Sequence, residues 1–356
     1  MTDLHDSPSS GQSLTLYLRG ILDPPAGDDA DDTPNPNLEA LLARAERMAQ
    51  AHPLTPEDSV FALFDLYRDG NADLPVAAVT RMLDMGIIDN DWWLRADPVH
   101  LSLERDRLIL AEADSLSITP DETSRLVAEI MEVFATDGWL LKAPRPERWY
   151  LKPARVPEIT TTPLSQVVGK DVQAFLPRGA DGKRWHTTMN EVQILLHAAA
   201  VNSEREQQGK LPINSLWFWG GGRLPRIKTA SWTRVWSNEP IGLSLARLSG
   251  TETENVPDGF EAWHERAAMP GEYLVMLDAV YDANIHGDAA RWHEAIDRLE
   301  RNWMAPLRQA LKAGQLARVT LVTDTGLRFT LDERQARRWW RRRHPLSRYR
   351  RQPSSE

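Results

Sequence analysis

The stretch INSLWFWGGGRLP, Ile213 to Pro225, joins an apolar run to three consecutive glycines and a basic turn. A short apolar run bounded by turn residues is typical of a strand buried on both faces. The glycines precede Arg223 rather than Lys and Ser or Thr, so the pattern does not fit a Walker-type phosphate loop. We expect Trp217 to Trp219 to be a core strand of a parallel sheet, with the glycines forming a tight exit at its carboxyl end.

Similar short apolar runs occur on both sides of this stretch, at Leu14–Leu18, Tyr273–Leu277 and Val319–Val322. Helical patterns such as Ala289–Ala313 separate the later runs. Alternation of strand and helix predicts an α/β core with a mostly parallel sheet.

The middle of the chain has a different sequence pattern, in which short predicted strands follow one another closely and are joined by tight turns. These patterns are Trp92–Leu94, Val99–Leu103, Arg107–Leu110, Trp139–Lys142 and Trp149–Lys152. Such spacing predicts an antiparallel α+β module. We therefore expect an α/β core, 12–88 plus 213–345, interrupted by an inserted α+β cap, 89–212. The ends, 1–11 and 346–356, are expected to be disordered, the latter as a basic tail.

The composition narrows the classes of function. The 356-residue chain has no cysteine, which excludes a thiolate nucleophile and leaves Asp, Glu and His as the metal ligands available. No apolar run reaches the length of a membrane helix. The polar start, MTDLHDSPSSGQS, does not resemble a signal peptide, and we expect a cytoplasmic protein.

The charge is unevenly distributed. The segment Arg334–Arg351 carries nine arginines and no acid, so a net charge of −9 leaves −18 on the rest of the chain. Trp339, Trp340 and Tyr349 are interleaved with these arginines, a mixture suited to nucleic acid or an anionic membrane. We favour a simpler interpretation, in which a last helix docks its tryptophans on the acidic body and leaves its arginines in water.

Two groups of polar residues could line a ligand site. LRADPVHL places Arg95, Asp97 and His100 within six residues, where they could bind an anion and shuttle a proton. They could equally form a structural Arg–Asp pair, which we slightly favour.

The second group lies on a predicted helix, about Thr187 to Gln207. It is either a pocket wall or a solvated face, because its polar residues share one face beside the core. These residues are His186, Asn190, Gln193 and His197, followed by Asn202.

Acidic residues follow two of the predicted core strands. Asp278, Asp282, His286 and Asp288 come after Tyr273–Leu277. Asp324 follows the strand near Val322 in the same way. Because parallel strands end at one edge of the sheet, Asp282, His286 and Asp324 are candidate metal ligands, and oxygen with imidazole suits Mn or Zn. Asp288 could instead cap the next helix.

The segment HAAAVNSEREQQGKLPINSLWFWGGGRLP, His197 to Pro225, resembles part of the archaeal-type cofactor-independent phosphoglycerate mutases. TPNPNLEALLA, Thr33 to Ala43, and DANIHGD, Asp282 to Asp288, resemble other parts in the same order. That family belongs to the alkaline phosphatase superfamily. The resemblance implies an alkaline-phosphatase-like core with two metals, a Ser or Thr nucleophile and an inserted cap.

The resemblance carries over poorly to the catalytic positions. Arg19-Gly20 stands where the family has Asp-Gly, whose Asp is a metal ligand, and Asp324-Thr325 stands where it has Asp-His. Asp282 and His286 match ligand positions, and Ser59 lies roughly where the nucleophile would. This implies a largely lost metal centre.

A closer resemblance is to the RpfE-type regulatory proteins of proteobacteria, which share WLRADPVHL and PINSLWFWGGG, Trp93–Leu101 and Pro212–Gly222. We therefore expect a non-catalytic or catalytically divergent binding or regulatory protein, with no cofactor or at most one Mn or Zn ion. Its partner would be a small anionic ligand or a protein. The alternatives are a metal-dependent phosphomutase or phosphatase, and an adaptor acting through the arginine-rich segment. The expected cleft is lined by the Arg95, Asp97 and His100 group, the helix stripe, Asn214 and Arg223.

Overall fold

The chain divides into two structural units, one of Met1–Leu66 with Ile227–Glu356 and the other of Tyr67–Arg226. A computed structural model describes residues 11–22, 34–48, 54–112, 116–227, 231–281 and 289–350. The predicted segments 67–88 and 213–226 of the core therefore fall in the second unit.

Strands and helices are numbered along the chain. The strands are β1 Gln12–Leu18, β2 Glu46–Met48, β3 Trp93–Glu104, β4 Arg107–Glu112, β5 Leu140–Arg145, β6 Arg148–Lys152, β7 Ser215–Gly222, β8 Arg234–Trp236, β9 Glu252–Glu254, β10 Gly271–Leu277, β11 Arg318–Thr323 and β12 Arg328–Leu331. The helices are α1 Pro36–Arg44, α2 Pro56–Ala62, α3 Val76–Met85, α4 Pro120–Phe134, α5 Gly182–Ala198, α6 Ala200–Gln207, α7 Pro240–Leu248, α8 Phe260–Arg266, α9 Ala289–Leu299, α10 Ala305–Lys312 and α11 Glu333–Ala336.

The first unit contains a seven-stranded sheet in the order β2-β12-β11-β1-β10-β8-β9. β1 lies between β10 and β11 and is parallel to both, while β12 and β2 add an antiparallel edge. The sequence of β1, QSLTLYL, is apolar at alternate positions, and Leu14, Leu16 and Leu18 pack into the core beneath the helices. The predicted α/β core with a mostly parallel sheet is confirmed.

The second unit contains an antiparallel sheet in the order β4-β3-β6-β5, with β7 also paired to β3. The predicted antiparallel module is confirmed, but the expectation that Trp217–Trp219 belongs to the parallel sheet is wrong. Trp217 lies opposite Asp97 in an antiparallel ladder. A central antiparallel strand covered on both faces is as apolar as a parallel one, so composition alone did not separate the two.

The glycine triplet lies inside β7 rather than forming its exit. Gly220 has φ +64°, and an added Cβ there would lie 2.9 Å from the Cβ of Val76. At Gly222 an added Cβ would lie 2.5 Å from the Cβ of Pro75. The glycines therefore let the start of α3 pack directly on the strand, which is the close approach that glycine permits.

Other expectations need smaller corrections. β3 runs without a break through Pro98, and the predicted helix about Thr187 to Gln207 is two helices that meet at Ala199. Part of the tail expected to be disordered forms a short 3₁₀ turn, Leu346–Tyr349, whose Leu346 and Tyr349 are buried. Residues 1–10 and 351–356 lie outside the described part of the chain.

Within the described ranges, no helix has the length and apolar character needed to cross a membrane.

Candidate functional site

The carboxyl ends of three parallel strands meet at one edge of the first unit's sheet. Leu18 is in register with Leu277 of β10 and Thr323 of β11. The residues that follow are Arg19, Asp278 and Asp324. This edge is where open α/β sheets place their ligands.

Arg19 is the central charge at this edge. Its backbone N–H donates to the carbonyl of Leu277 at 3.2 Å, and its guanidinium carbon lies 3.6 Å from the ring centre of Tyr281. Burial would lower the pKa of Arg19, but Tyr281, Tyr17, Glu239 and Asp278 together raise it above its ordinary value. Arg19 is therefore a permanent cation held by an aromatic ring and nearby acids.

Glu239 faces Arg19 from the start of α7. Its carboxylate caps that helix by accepting from the backbone N–H groups of Ile241 at 3.0 Å and Gly242 at 2.5 Å. Burial raises the pKa of Glu239, while Arg19 and the two N–H groups oppose the rise. Sequence reasoning missed Glu239, although a Glu directly before a Pro at a helix start is a recognisable cap pattern.

Asp324 and Ser59 lie next to each other at this edge. An Asp324 carboxylate oxygen accepts from the backbone N–H of Gly20 at 2.9 Å, and the Ser59 hydroxyl donates to the Asp324 carbonyl at 2.7 Å. Both side chains are buried. The Ser59 hydroxyl is thus engaged with a backbone group, and its role as a nucleophile stays a prediction.

The described residues at this edge do not fit a two-metal centre. Asp282, His286 and Asp288 lie outside the described part of the chain. Among the residues that are described, no three acidic or imidazole side chains are grouped to hold a metal ion. The guanidinium of Arg19 stands directly after β1, and a fixed positive charge there opposes a divalent cation.

The Arg95, Asp97 and His100 group does not converge on one site. Arg95 donates through Nε at 2.9 Å and Nη2 at 2.7 Å to Asp97, which is 0% exposed. Asp97 also accepts from the backbone N–H of Trp149 and the indole of Trp219. His100 bonds instead to the carbonyl of Pro212. The geometry supports a structural Arg–Asp pair, the interpretation favoured from the sequence.

The polar stripe of the predicted helix splits into two parts. Asn190, Gln193 and His197 line an open groove in the second unit, together with Leu101, Leu108, Ile194 and Asn214. His186 bonds to the carbonyl of Pro177. Three residues of the stripe therefore share one surface that a ligand could reach.

Asn202 and Asn214 hold backbone in place. Buried Asn202 donates to the carbonyls of Leu196 and Ile213 and accepts from the Ile213 N–H. Asn214 exchanges two hydrogen bonds with the backbone of Leu101. Both amides thus hold neighbouring backbone segments together through side-chain hydrogen bonds.

Arg223 follows the glycine triplet and donates to the carbonyl of Asn90. It is exposed, so it neither lines the groove around His197 nor takes part in the buried Arg95 pair.

No protein-family model matches the chain. The chain is 25% identical over 253 residues to a probable 2,3-bisphosphoglycerate-independent phosphoglycerate mutase of Geobacter sulfurreducens. That match covers 67% of this chain and 61% of the relative. A 2,3-bisphosphoglycerate-independent phosphoglycerate mutase of Methanosarcina acetivorans is 38% identical over 72 residues, 20% of this chain and 18% of that protein. The matches thus span less than two thirds of these relatives.

The PH0037 protein of Pyrococcus horikoshii has a similar fold, with a TM-score of 0.52 at 14% sequence identity over 92% of both chains. The matched relatives are mutases of the cofactor-independent kind, and together with the fold they support a relationship to the alkaline phosphatase superfamily. They do not test membership of the narrower RpfE-type group, so that membership stays a prediction.

Proposed function

We propose that this chain is a divergent phosphatase-superfamily protein that binds a ligand or partner in a regulatory role and has lost two-metal catalysis. The observation that carries the proposal is Arg19. Its guanidinium lies at the strand end where the resembling family has a metal-ligand Asp, stacked on Tyr281 and facing Glu239. The guanidinium supplies positive charge beside Glu239 and Asp278, so a metal ion at this edge would have to overcome its repulsion.

The ligand surface in this proposal is the groove that contains Asn190, Gln193 and His197. Amide and imidazole N–H groups can donate hydrogen bonds to an anionic oxygen, and the neighbouring Ile194 and Leu108 supply apolar contact. This composition suits a small anion with an apolar part, or an acidic segment of a partner protein. We place this role in the cytoplasm and, on the WLRADPVHL and PINSLWFWGGG segments, among the RpfE-type regulators.

A second candidate is a metal-dependent phosphomutase or phosphatase that uses Asp282, His286 and Asp324 around one ion. Two observations favour it. Relatives from Geobacter and Methanosarcina are named as mutases, and Asp324 lies at the ligand-binding edge of the sheet. In this reading Arg19 would bind the substrate phosphate rather than replace a metal.

Metal content separates the two candidates. We expect the protein, purified from cells grown with added Mn and Zn, to hold far less than one metal ion per chain by elemental mass spectrometry. We also expect no turnover of 3-phosphoglycerate or of a generic phosphate ester. One Mn or Zn per chain that is lost in His286→Ala would overturn the proposal in favour of the enzyme.

An Arg19→Asp variant is the matched comparison, because it introduces the carboxylate that the resembling family has at this position. If Arg19 is what opposes a metal, the variant gains metal or shows a higher thermal midpoint on adding Mn. A variant that stays metal-free and shows no change in thermal midpoint with Mn would contradict this explanation.

A further inference from the structure

Three cations lie on the first unit beside the C-terminal segment. Arg308 and Lys312 lie one turn apart on α10, and Arg44 lies in the last turn of α1. Arg44 Nε donates to the carbonyl of Arg338 at 2.9 Å, and Arg337 donates to the carbonyl of Lys312 at 2.9 Å. These bonds fix the arginine-rich segment against both helices.

Burial and neighbouring cations lower the pKa of two members of this group, Arg44 and Lys312. Burial lowers the pKa of Arg44, and Arg308 and Arg343 lower it further. Burial, Arg308 and Arg44 lower the pKa of Lys312 in the same way. Repulsion between neighbouring positive groups is unfavourable, and a bound anion would relieve it.

Acids near this group are already engaged. Glu333 pairs with Arg337, and Glu300 accepts from the first backbone N–H groups of α1. Arg44 is only 9% exposed, yet its Nη1 has no hydrogen-bond partner within the described ranges. The buried Nε of Arg308 also has no hydrogen-bond partner within the described ranges. The acids named here therefore do not cancel the positive charge of this group, and an external anion would be attracted to its exposed members.

Two tryptophans are exposed next to these cations. Trp339 is 81% exposed and Trp340 is 62% exposed, and Arg341–Arg343 follow them at the surface. Buried Ala336 and Leu346 anchor the segment on either side. The favoured expectation that the tryptophans dock on the body is therefore wrong, because buried Ala336 and Leu346 anchor the segment instead. Adjacent exposed tryptophans on a monomer's surface indicate an interaction site.

We propose that Arg337–Arg343, with Arg308 and Lys312, form a docking surface for a membrane that contains anionic phospholipids. The cations would bind lipid phosphates, and the two indoles would enter the interfacial layer, which suits their apolar body and polar N–H. We call these residues the basic tryptophan surface. This proposal does not depend on the function proposed for the sheet edge or the groove.

The ring geometry favours a membrane over single-stranded nucleic acid. The two indoles are 6.2 Å apart and nearly perpendicular, at 85°. Successive bases stack on aromatic faces that are roughly parallel, which this pair does not offer. Entry into a lipid interface requires only that apolar area be covered, so it tolerates a perpendicular pair.

Co-sedimentation of the full chain with vesicles tests the proposal. We expect binding to phosphatidylcholine vesicles that contain phosphatidylglycerol, weakening with added salt, and little binding to phosphatidylcholine alone. Trp339→Ala with Trp340→Ala should weaken binding about tenfold or more through lost apolar burial. Arg341→Ala with Arg342→Ala should weaken it about fivefold per arginine. Both pairs are exposed, so the thermal midpoint should not change.

Ile88→Ala with Leu103→Ala is the matched control, since both residues are exposed apolar side chains of the second unit. It should bind vesicles as the unchanged chain does. The proposal is overturned if the chain binds neither vesicle type, if the tryptophan variant binds as well as the control, or if a single-stranded oligonucleotide competes away all vesicle binding.

Discussion

Two arginines, Arg95 buried in the second unit and Arg19 half-buried in the first, show how the same side chain is used in different ways. Arg95 lies within β3 and shares the fully buried carboxylate of Asp97 with Trp149 and Trp219. Arg19 lies after the end of β1, stacks on Tyr281, and has an Nε with no hydrogen-bond partner among the described residues.

The difference reflects position in the sheet. A residue within a central strand has neighbours on both sides whose register is fixed, so its polar atoms must be satisfied locally. A residue beyond the strand end faces a loop edge, where charges can be arranged for a ligand or a metal. Arg95 is therefore expected to matter for stability, and Arg19 for what the edge can bind.

The largest expected effect comes from Asp97→Ala. It leaves the Arg95 guanidinium buried without its partner, which should lower the free energy of unfolding by about 3 to 5 kcal/mol. Urea titration followed by circular dichroism measures this loss. The control is Glu204→Ala, which breaks an exposed pair with Arg125 and should cost far less, because solvent screens exposed pairs. Equal losses in the two variants would show that the buried pair has no special structural role.

A smaller loss is expected for Arg19→Met. It removes the cation that faces Glu239 and Asp278 but keeps most of the side chain's apolar length, so we expect a loss of about 1 to 3 kcal/mol. Arg19→Lys keeps the charge and should lose less. The same urea titration applies. A loss as large as that of Asp97→Ala would break the distinction between the two arginines.

The smallest effect is a pH dependence centred on Asp84 of the second unit. Burial would raise the pKa of Asp84, but hydrogen bonds from Arg148 and Tyr150 hold it below its ordinary value. A depressed carboxyl pKa contributes stability at pH above the unfolded value of about 3.9, and that stability is lost as pH falls through the folded value.

We therefore expect Asp84→Asn to lower stability at neutral pH and to flatten the loss seen between neutral pH and acid. Urea titrations at neutral and at acid pH measure this loss of stability in the variant and in the unchanged chain. Asp91→Asn is a control, since Asp91 forms a more exposed pair with Lys152. An acid loss of unchanged size in Asp84→Asn would contradict the assignment.

The sequence predicted where strands and helices lie better than it predicted which strands pair. Leu14–Leu18, Tyr273–Leu277 and Val319–Val322 are found in the parallel sheet as expected. Trp217–Trp219 was also recognised as a buried strand but was placed in the wrong sheet. Burial of a strand can be inferred from its local composition. Its pairing partner cannot, because Trp217 pairs with Asp97, a residue far away in the sequence.

The candidate site was also only partly predictable from the sequence. Asn190, Gln193 and His197 were predicted to share a face, and helical spacing was enough to place them along one groove. Glu239 and Tyr281 were missed as partners of Arg19, because only the fold brings α7 and the end of β10 to the end of β1. The candidate ligands Asp282 and His286 lie outside the described residues and stay predictions.

By itself, the sequence determined the alternation that specifies an α/β core with an antiparallel insertion, and the position of Arg19 at the end of the first strand. Both features follow from the types of neighbouring residues in the sequence. Only the tertiary structure decided that the glycine triplet accommodates α3, that Asp97 belongs to a buried ion pair, and that Trp339 and Trp340 face solvent. These outcomes depend on which distant groups compete for the same space and the same hydrogen bonds, and that competition is settled only when the chain packs.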